Sequence, residues 1–281
     1  MEKETENTPD NAGPARAGRP GRPRQGGKPT AVRALDRGLS ILETLSQQAG
    51  GLTLAQVSRQ TKLPPATAYR LLETLRTRGF IAYQPERGIY SVGIRAFQVG
   101  GSFLTDLPLH ELARPPMQAL CEEINENINL AIRDGNEVVY IAQLQGTHSL
   151  RMFTQVGARA PLHCTGVGKV LMAAMSDVQI TDLLGPGPYQ KFTEKTLVSR
   201  RSLIQAVRQV REQGYTVDDE ERQAGVFCVT APVRDHHGEI AAAVSISAPL
   251  QRMAGKTRKQ RLVQVLELAG TISQRLGFVG K

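Results

Sequence analysis

The chain has 281 residues, 40% apolar and 5% aromatic, with no Trp. That is enough for two ordinary domains with buried cores, while no run approaches the roughly 18 apolar residues of a membrane-spanning helix and no apolar stretch near the start marks a secretory leader. Cys121, Cys164 and Cys228 lie far apart, which excludes a disulfide scaffold and a C-x-x-C metal pair and suits a reducing cytoplasm.

The charge is uneven. Lys and Arg number 35 against 26 Asp and Glu, for a net +9. Residues 11–93 hold 13 basic and 4 acidic side chains, whereas residues 94–281 hold 21 and 18. A basic N-terminal third on a near-neutral body suits a polyanion partner. A solubilising tail has the same composition, and charge alone leaves both readings open.

Residues 1–30 contain scarcely an apolar side chain and read as a disordered basic tail. Within it, Gly18 to Arg24 is similar to an AT-hook with Pro-Gly-Arg-Pro in place of the usual Arg-Gly-Arg-Pro. Arg22 and Arg24 could then enter an A·T minor groove, and a plain cationic linker is the alternative.

Residues 31–93 read as one domain. Val32, Leu35, Leu39, Leu42 and Leu45 recur at helical steps, and Gly50-Gly51 stops the run. Thr53 is placed to cap a short helix, Leu54 to Thr61. Leu63-Pro64-Pro65 is a turn, with Pro65 suited to the first position of a third helix that runs to about Arg78. Ala68, Leu71, Leu72 and Leu75 share its inner face. Ala66, Tyr69, Arg70 and Glu73 face outward, with Thr67 on the flank. Ile81 to Tyr83 and Ile89 to Val92, joined across Glu86-Arg87-Gly88, form a hairpin. Three helices and a hairpin make a winged helix-turn-helix. Its expected DNA contacts are Pro65, Ala66, Thr67, Tyr69 and Arg70 on the third helix, with Arg37 and Arg87 beside it and Arg22 and Arg24 in the tail.

Residues 94–108 read as a linker and dimerisation helix carrying Ile94, Phe97, Val99, Phe103 and Leu104, ended by Pro108. The remainder, 109–279, reads as a second domain. It has a helix from Pro115 to Glu126 and a hairpin of Ile128–Arg133 and Glu137–Ala142 about Asp134-Gly135-Asn136. A strand over Leu150–Val156 follows, then a helix capped by Thr165 and running to Met175. A helix from Ser199 to Gly214, strands Val226–Val233 and Ile240–Ala248, and a closing helix Thr257–Leu276 complete it. The class is α+β, an antiparallel sheet flanked by helices.

Five ordered segments together resemble the IclR family of bacterial transcription regulators over about residues 30–278. They are Ala34-Leu35-Asp36-Arg37-Gly38-Leu39, Leu63 through Leu72, Pro161 through Lys169, Gly214 through Glu221, and Ala243 through Ser247. The resemblance implies a winged-helix DNA reader on a palindromic promoter site, a linker helix and a GAF-like effector domain. It also implies dimers that pair into tetramers. Ala131 through Glu137 and Ser245-Ile246-Ser247 look most like the branch tied to glyoxylate and allantoin metabolism. Branches answering to sugar acids or aromatic acids are the alternative.

Candidate chemistry in the second domain begins at Gly166-Val167-Gly168-Lys169. A P-loop would need Gly where His163 stands and Ser or Thr where Val170 stands. The segment instead fits a helix N-terminus, whose free N–H groups can hold a carboxylate; close helix packing would also call for Gly. Ser245 and Ser247 lie two apart on an apolar strand and share a face, so their hydroxyls need partners from a ligand or from backbone. By resemblance, pocket positions fall on Met152, Gly166, Val167, Asp218, Cys228, Ser245 and Ser247. Ser149, Ala160 and Val226 stand where relatives answering to glyoxylate or pyruvate carry larger aliphatics. Asp218 also opens an acidic run of the kind that usually faces solvent. The expected effector is a two- to four-carbon oxoacid, glyoxylate first. Nothing in Cys164, Cys228 and His163, or in His236-His237, has the spacing of an enzyme nucleophile or metal site, so no catalysis, cofactor, metal or membrane partner is expected. A nucleoid protein binding all DNA alike is the other class that the basic composition permits.

Overall fold

A computed structural model describes residues 32–105, 108–147 and 155–279. Arg22 and Arg24, with the rest of the basic tail, and Ser149 and Met152 lie outside the described residues. The chain divides between Phe97 and Gln98 into two compact units.

The first unit orders α1 (Arg33–Ser46), β1 (Leu52–Thr53), α2 (Leu54–Thr61), α3 (Pro65–Thr77), β2 (Ile81–Gln84) and β3 (Ile89–Val92). Local sequence explains each boundary. Thr53 caps α2 reciprocally with Gln56, its hydroxyl accepting from the Gln56 N–H and its own N–H donating to the Gln56 side chain, a box worth about 1 kcal/mol. Lys62 takes the left-handed conformation, φ 55°. The Ser58 hydroxyl donates to the Leu63 carbonyl at 2.6 Å, so the turn between α2 and α3 is closed by its own side chain. Pro65 then opens α3 with no N–H to waste. β1, β3 and β2 form an antiparallel sheet in that order.

Ile41, Leu45, Val57, Ala68, Leu72 and Ile81 fill the core of this unit. The five-residue stripe expected on α1 divides. Leu45 is buried and Leu42 packs beside it, but Val32, Leu35 and Leu39 are 68%, 62% and 50% exposed. Ile41 and Gly38 face inward in their place. The steps of three and four residues matched two adjacent faces of the helix, and only one of them has α2 and α3 to pack on. α4 (Ile94–Thr105) begins in this unit and runs on past the division.

The second unit is a six-stranded antiparallel sheet in the order β6-β5-β4-β9-β8-β7. Its strands are β4 (Asn127–Asp134), β5 (Glu137–Leu144), β6 (Arg159–Pro161), β7 (Thr216–Asp219), β8 (Val226–Arg234) and β9 (Ile240–Pro249). The period of two sorts the side chains. Ile128, Leu130, Phe227, Val229, Val244 and Ile246 pack with Met117 of α5 (Pro108–Ile124) and with Val265 and Ile272 of α9 (Lys256–Arg275). Ala131, Val138 and Ala243 join a second core with α6 (Gly166–Met172), α7 (Asp177–Leu184) and α8 (Arg200–Gln213), through Val167, Leu171, Ile180, Leu203 and Val207.

Several boundaries differ from the sequence expectation. Pro108 opens a helix, and α5 passes straight through Pro115 and Pro116. Pro116 cannot bond the carbonyl four residues back; that carbonyl, Leu112, accepts instead from Arg275 of α9 at 3.1 Å. The strand expected over Leu150–Val156 is not found in its described part. Val156 sits in a turn, and the edge strand is Arg159–Pro161, paired with β5 through Val138↔Ala160. The helix expected to reach Met175 ends at Met172. The acidic run at Asp218 is part of a strand whose inward residues are buried.

Candidate functional site

On α3, Pro65, Ala66 and Arg70 are exposed, Tyr69 is 50% exposed and Thr67 is half-buried. Arg37 is exposed on α1. Arg87 is exposed in the hairpin turn, which its own N–H closes on the Gln84 carbonyl at 3.3 Å. Among the described residues none of Arg37, Arg70 and Arg87 forms an ion pair.

In the second unit the sheet face that carries Ala131 and Ala243 turns polar toward β7. Asp218, Cys228 and Ser247 stand in register across β7, β8 and β9, and Thr230 stands opposite Ser245. The face forms the floor of a cavity of about 410 Å³. One wall is Thr165, Gly166 and Val167 at the start of α6. Tyr140, Ala158, Arg159 and Ala160 come from β5, β6 and the turn before it, Arg222 and Gln223 from the β7–β8 connection, and Val226 from the start of β8. Of the residues singled out in the sequence, Ala160, Gly166, Val167, Asp218, Val226, Cys228, Ser245 and Ser247 are thus brought together. Tyr140, Thr165, Arg222, Gln223 and Thr230 join them unannounced.

The α6 wall is built by close approach. The Thr165 hydroxyl accepts the Gly168 N–H at 3.1 Å. A Cβ on Gly168 would fall onto the Leu162 backbone, so Gly168 is required by packing. A Cβ on Gly166 would stand 2.5 Å from the Thr230 hydroxyl. Gly166 is therefore where backbone and the Thr230 side chain meet at the cavity, ahead of the first helical hydrogen bonds.

The serine hydroxyls have a partner that neither expectation named. The Asn129 side-chain amide donates to Ser247 at 3.2 Å and, at the limit of a hydrogen bond, to Ser245 at 3.5 Å. Each serine acts there as an acceptor and keeps its own proton to donate; that of Ser247 is shared with Cys228. Thr230 differs. It is fully buried, and its hydroxyl has no hydrogen-bond partner among the described residues.

The acidic run divides into an inner and an outer pair. Asp219 and Glu220 turn outward to Lys195, at 3.2 and 2.6 Å. Asp218 and Glu221 are buried, with the Glu221 N–H donating to Asp218 at 2.8 Å. Lys169, also buried, pairs with Glu221 and donates to the Val217 carbonyl at 2.7 Å. Burial, and then the charge of Glu221, push the Asp218 carboxyl up to about 7 against the pull of Lys169. The cavity can thus hold Asp218 as a neutral hydrogen-bond donor. Burial also raises the Tyr140 phenol and the Cys228 thiol, and takes Cys164 to about 12. Both thiols are protonated side chains and not nucleophiles.

Comparison with known proteins agrees with this architecture. Residues 34–85 match the model of the IclR helix-turn-helix domain, and residues 101–274 match that of the bacterial transcriptional regulator IclR C-terminal domain. The chain is 36% identical over 248 residues to the transcriptional repressor IclR of Escherichia coli K12, covering 88% of this chain and 90% of that protein. It is 34% identical over 266 residues to the repressor AllR of the same organism, covering 94% and 97%. The Thermotoga maritima IclR crystal structure superposes with a TM-score of 0.75 at 25% identity, covering 88% of this chain and 99% of that one. Among the described residues no helix is long and apolar enough to cross a membrane. A winged reading helix, an effector-binding C-terminal domain and matches across both units have one meaning: the chain belongs to the IclR family of bacterial transcriptional regulators, and is a DNA-binding regulator rather than an enzyme.

Proposed function

We propose that this regulator is a cytoplasmic repressor that binds a palindromic promoter site as a dimer of dimers, and that a small carboxylate in the 410 Å³ cavity changes its affinity for that site. Residues 31–93 read DNA, 94–108 link, and 109–279 receive the effector. Repression follows the printed names of both relatives. Self-association is supported by the apolar side chains exposed on the first unit: Val32, Leu35 and Leu39 on α1, and Ile94 and Phe97 on α4.

The observation that carries the effector reading is the unpartnered, fully buried Thr230 hydroxyl beside Gly166. Such a group costs about 1–3 kcal/mol if nothing meets it. A carboxylate set against the Gly166 and Val167 N–H groups would accept the Thr230 proton as well. Ser245 retains its proton for a second oxygen, and neutral Asp218 can donate to it or accept from a hydrate hydroxyl. Glyoxylate is the smallest compound that meets this chemistry. Its few atoms, at a ceiling of about 1.5 kcal/mol each, hold it to micromolar binding or weaker.

Calorimetry with glyoxylate on the full chain and on a Ser245→Ala/Ser247→Ala variant, beside a mobility shift of promoter DNA, tests the proposal. Heat with the wild type, weaker heat with the variant, and DNA release at the same concentrations are expected. No heat with the wild type excludes glyoxylate, and equal affinity of the two proteins moves the site elsewhere.

A further inference from the structure

Three cations stand in or beside the cavity among the described residues, and two are committed. Arg159 pairs with Asp134 at 2.8 Å and with Glu137 at 2.6 Å. Lys169 pairs with Glu221. Arg222 lines the cavity and forms no ion pair among the described residues. Its guanidinium carbon lies 3.9 Å from the centroid of the Phe192 ring, a contact that holds the group without cancelling its charge.

The loop that carries Arg222 is itself tied down. The Thr193 hydroxyl donates to the Glu220 carbonyl at 2.6 Å, and the Thr196 hydroxyl to the Glu221 carbonyl at 2.7 Å. The arginine is therefore held in place before any ligand arrives. Its field reaches the interior, where it draws Tyr140 and Cys164 toward their ionised forms against burial. A single carboxylate at Gly166, Val167 and Thr230 would leave this cation unused, and a two-carbon acid would leave most of the 410 Å³ unfilled.

Resting on the reading of the cavity as a small-carboxylate site, we propose that Arg222 receives a second acidic group, so that the cavity takes a dicarboxylate more tightly than a monocarboxylate such as glyoxylate. One carboxylate meets the start of α6 and Thr230. The other meets the guanidinium, which suits the planar fork of a carboxylate. Arg222 is in this sense a specificity-determining residue, selecting dianions over monoanions of the same length.

Matched pairs of acids that share a chain length and differ in the terminal carboxylate test this by calorimetry on the full protein. Suitable pairs are oxaloacetate and α-ketobutyrate, α-ketoglutarate and α-ketovalerate, and α-ketoadipate and α-ketocaproate. The wild type is expected to bind at least one dicarboxylate roughly tenfold more tightly than its partner. Arg222→Gln should erase that preference, costing the dicarboxylate much more affinity than its monocarboxylate partner and leaving the unfolding midpoint unchanged, while Arg222→Lys keeps part of the preference. No preference in the wild type, a preference that survives Arg222→Gln, or equal losses for both acids would each overturn the assignment. If no acid of either kind binds the wild type, the small-carboxylate reading falls too; if monocarboxylates bind without any charge preference, only the role of Arg222 falls.

Discussion

Thr230 separates binding from stability at a single side chain. Thr230→Val keeps the shape and removes a hydroxyl that has no partner among the described residues, so the unfolding midpoint should stay or rise. Carboxylate affinity should fall roughly tenfold, the worth of one charge-assisted hydrogen bond. Undiminished binding in calorimetry would remove Thr230 from the receptor. Asp218 gives a prediction in pH. Its carboxyl is raised from 3.8 to about 7, so the folded chain holds a proton that the unfolded chain has already released. The stability contributed by this group is full below about pH 4 and is lost as pH rises through 7. Buried Glu221 is raised in the same direction. Ionised Asp218 also repels a carboxylate, so effector affinity should fall as pH rises from 6 to 8. Asp218→Asn should flatten both profiles; a variant as pH-dependent as the wild type would assign the titration to another group. Thr230 was within reach of sequence reasoning, because it lies two residues beyond Cys228 on the same strand face. Arg222 was not, since it sits in a connection where no period applies.

Among the elements, those with a strong local signal were legible. The capping residues Thr53, Thr165 and Ser199 all accept the N–H that the sequence reserves for them. The Gly135-Asn136 turn joins β4 and β5 with Asp134 opposite Glu137. α7 carries its own local signal as well, a Ser176/Gln179 capping box. Pro115 and Pro116 misplaced the start of α5, because the arginine that satisfies the freed Leu112 carbonyl is 163 residues away in the chain. The reading helix α3 is the element that DNA tests. Thr67→Ala should cost roughly 1–3 kcal/mol at one half-site position and leave affinity for random DNA unchanged. Arg70→Ala should weaken both alike. Gel-shift titration on operator and scrambled duplexes checks this, and parallel losses for Thr67→Ala would take base reading away from it.

For the molecule as a whole, the basic N-terminal segment is expected to bear on affinity rather than on choice of site. Deleting residues 1–28 should flatten the dependence of DNA binding on salt, each lost phosphate contact lowering the slope by about 0.9. An unchanged slope measured from 50 to 200 mM salt would mean that the segment does not touch DNA. The net charge supports this expectation, since the excess of basic residues is concentrated in residues 11–93.

The linear chain by itself determined the winged helix-turn-helix, the alternation of strands and helices that follows, and the inward pairing of Ser245 with Ser247. Each of these depends on periods of two or 3.6 residues and on caps that act within four residues. Only the tertiary structure decided what those side chains meet. Asn129 reaches Ser247 across 118 residues of sequence. Asp218 and Glu221 turn inward, Glu221 onto Lys169, while Asp219 and Glu220 turn outward to Lys195. Thr230 is left without a partner among the described residues, beside Gly166. Hydrogen bonds and burial act at distances of a few ångströms in space, between residues that the pairing of strands brings together; periodicity tells which way a side chain points, and the fold supplies what stands opposite.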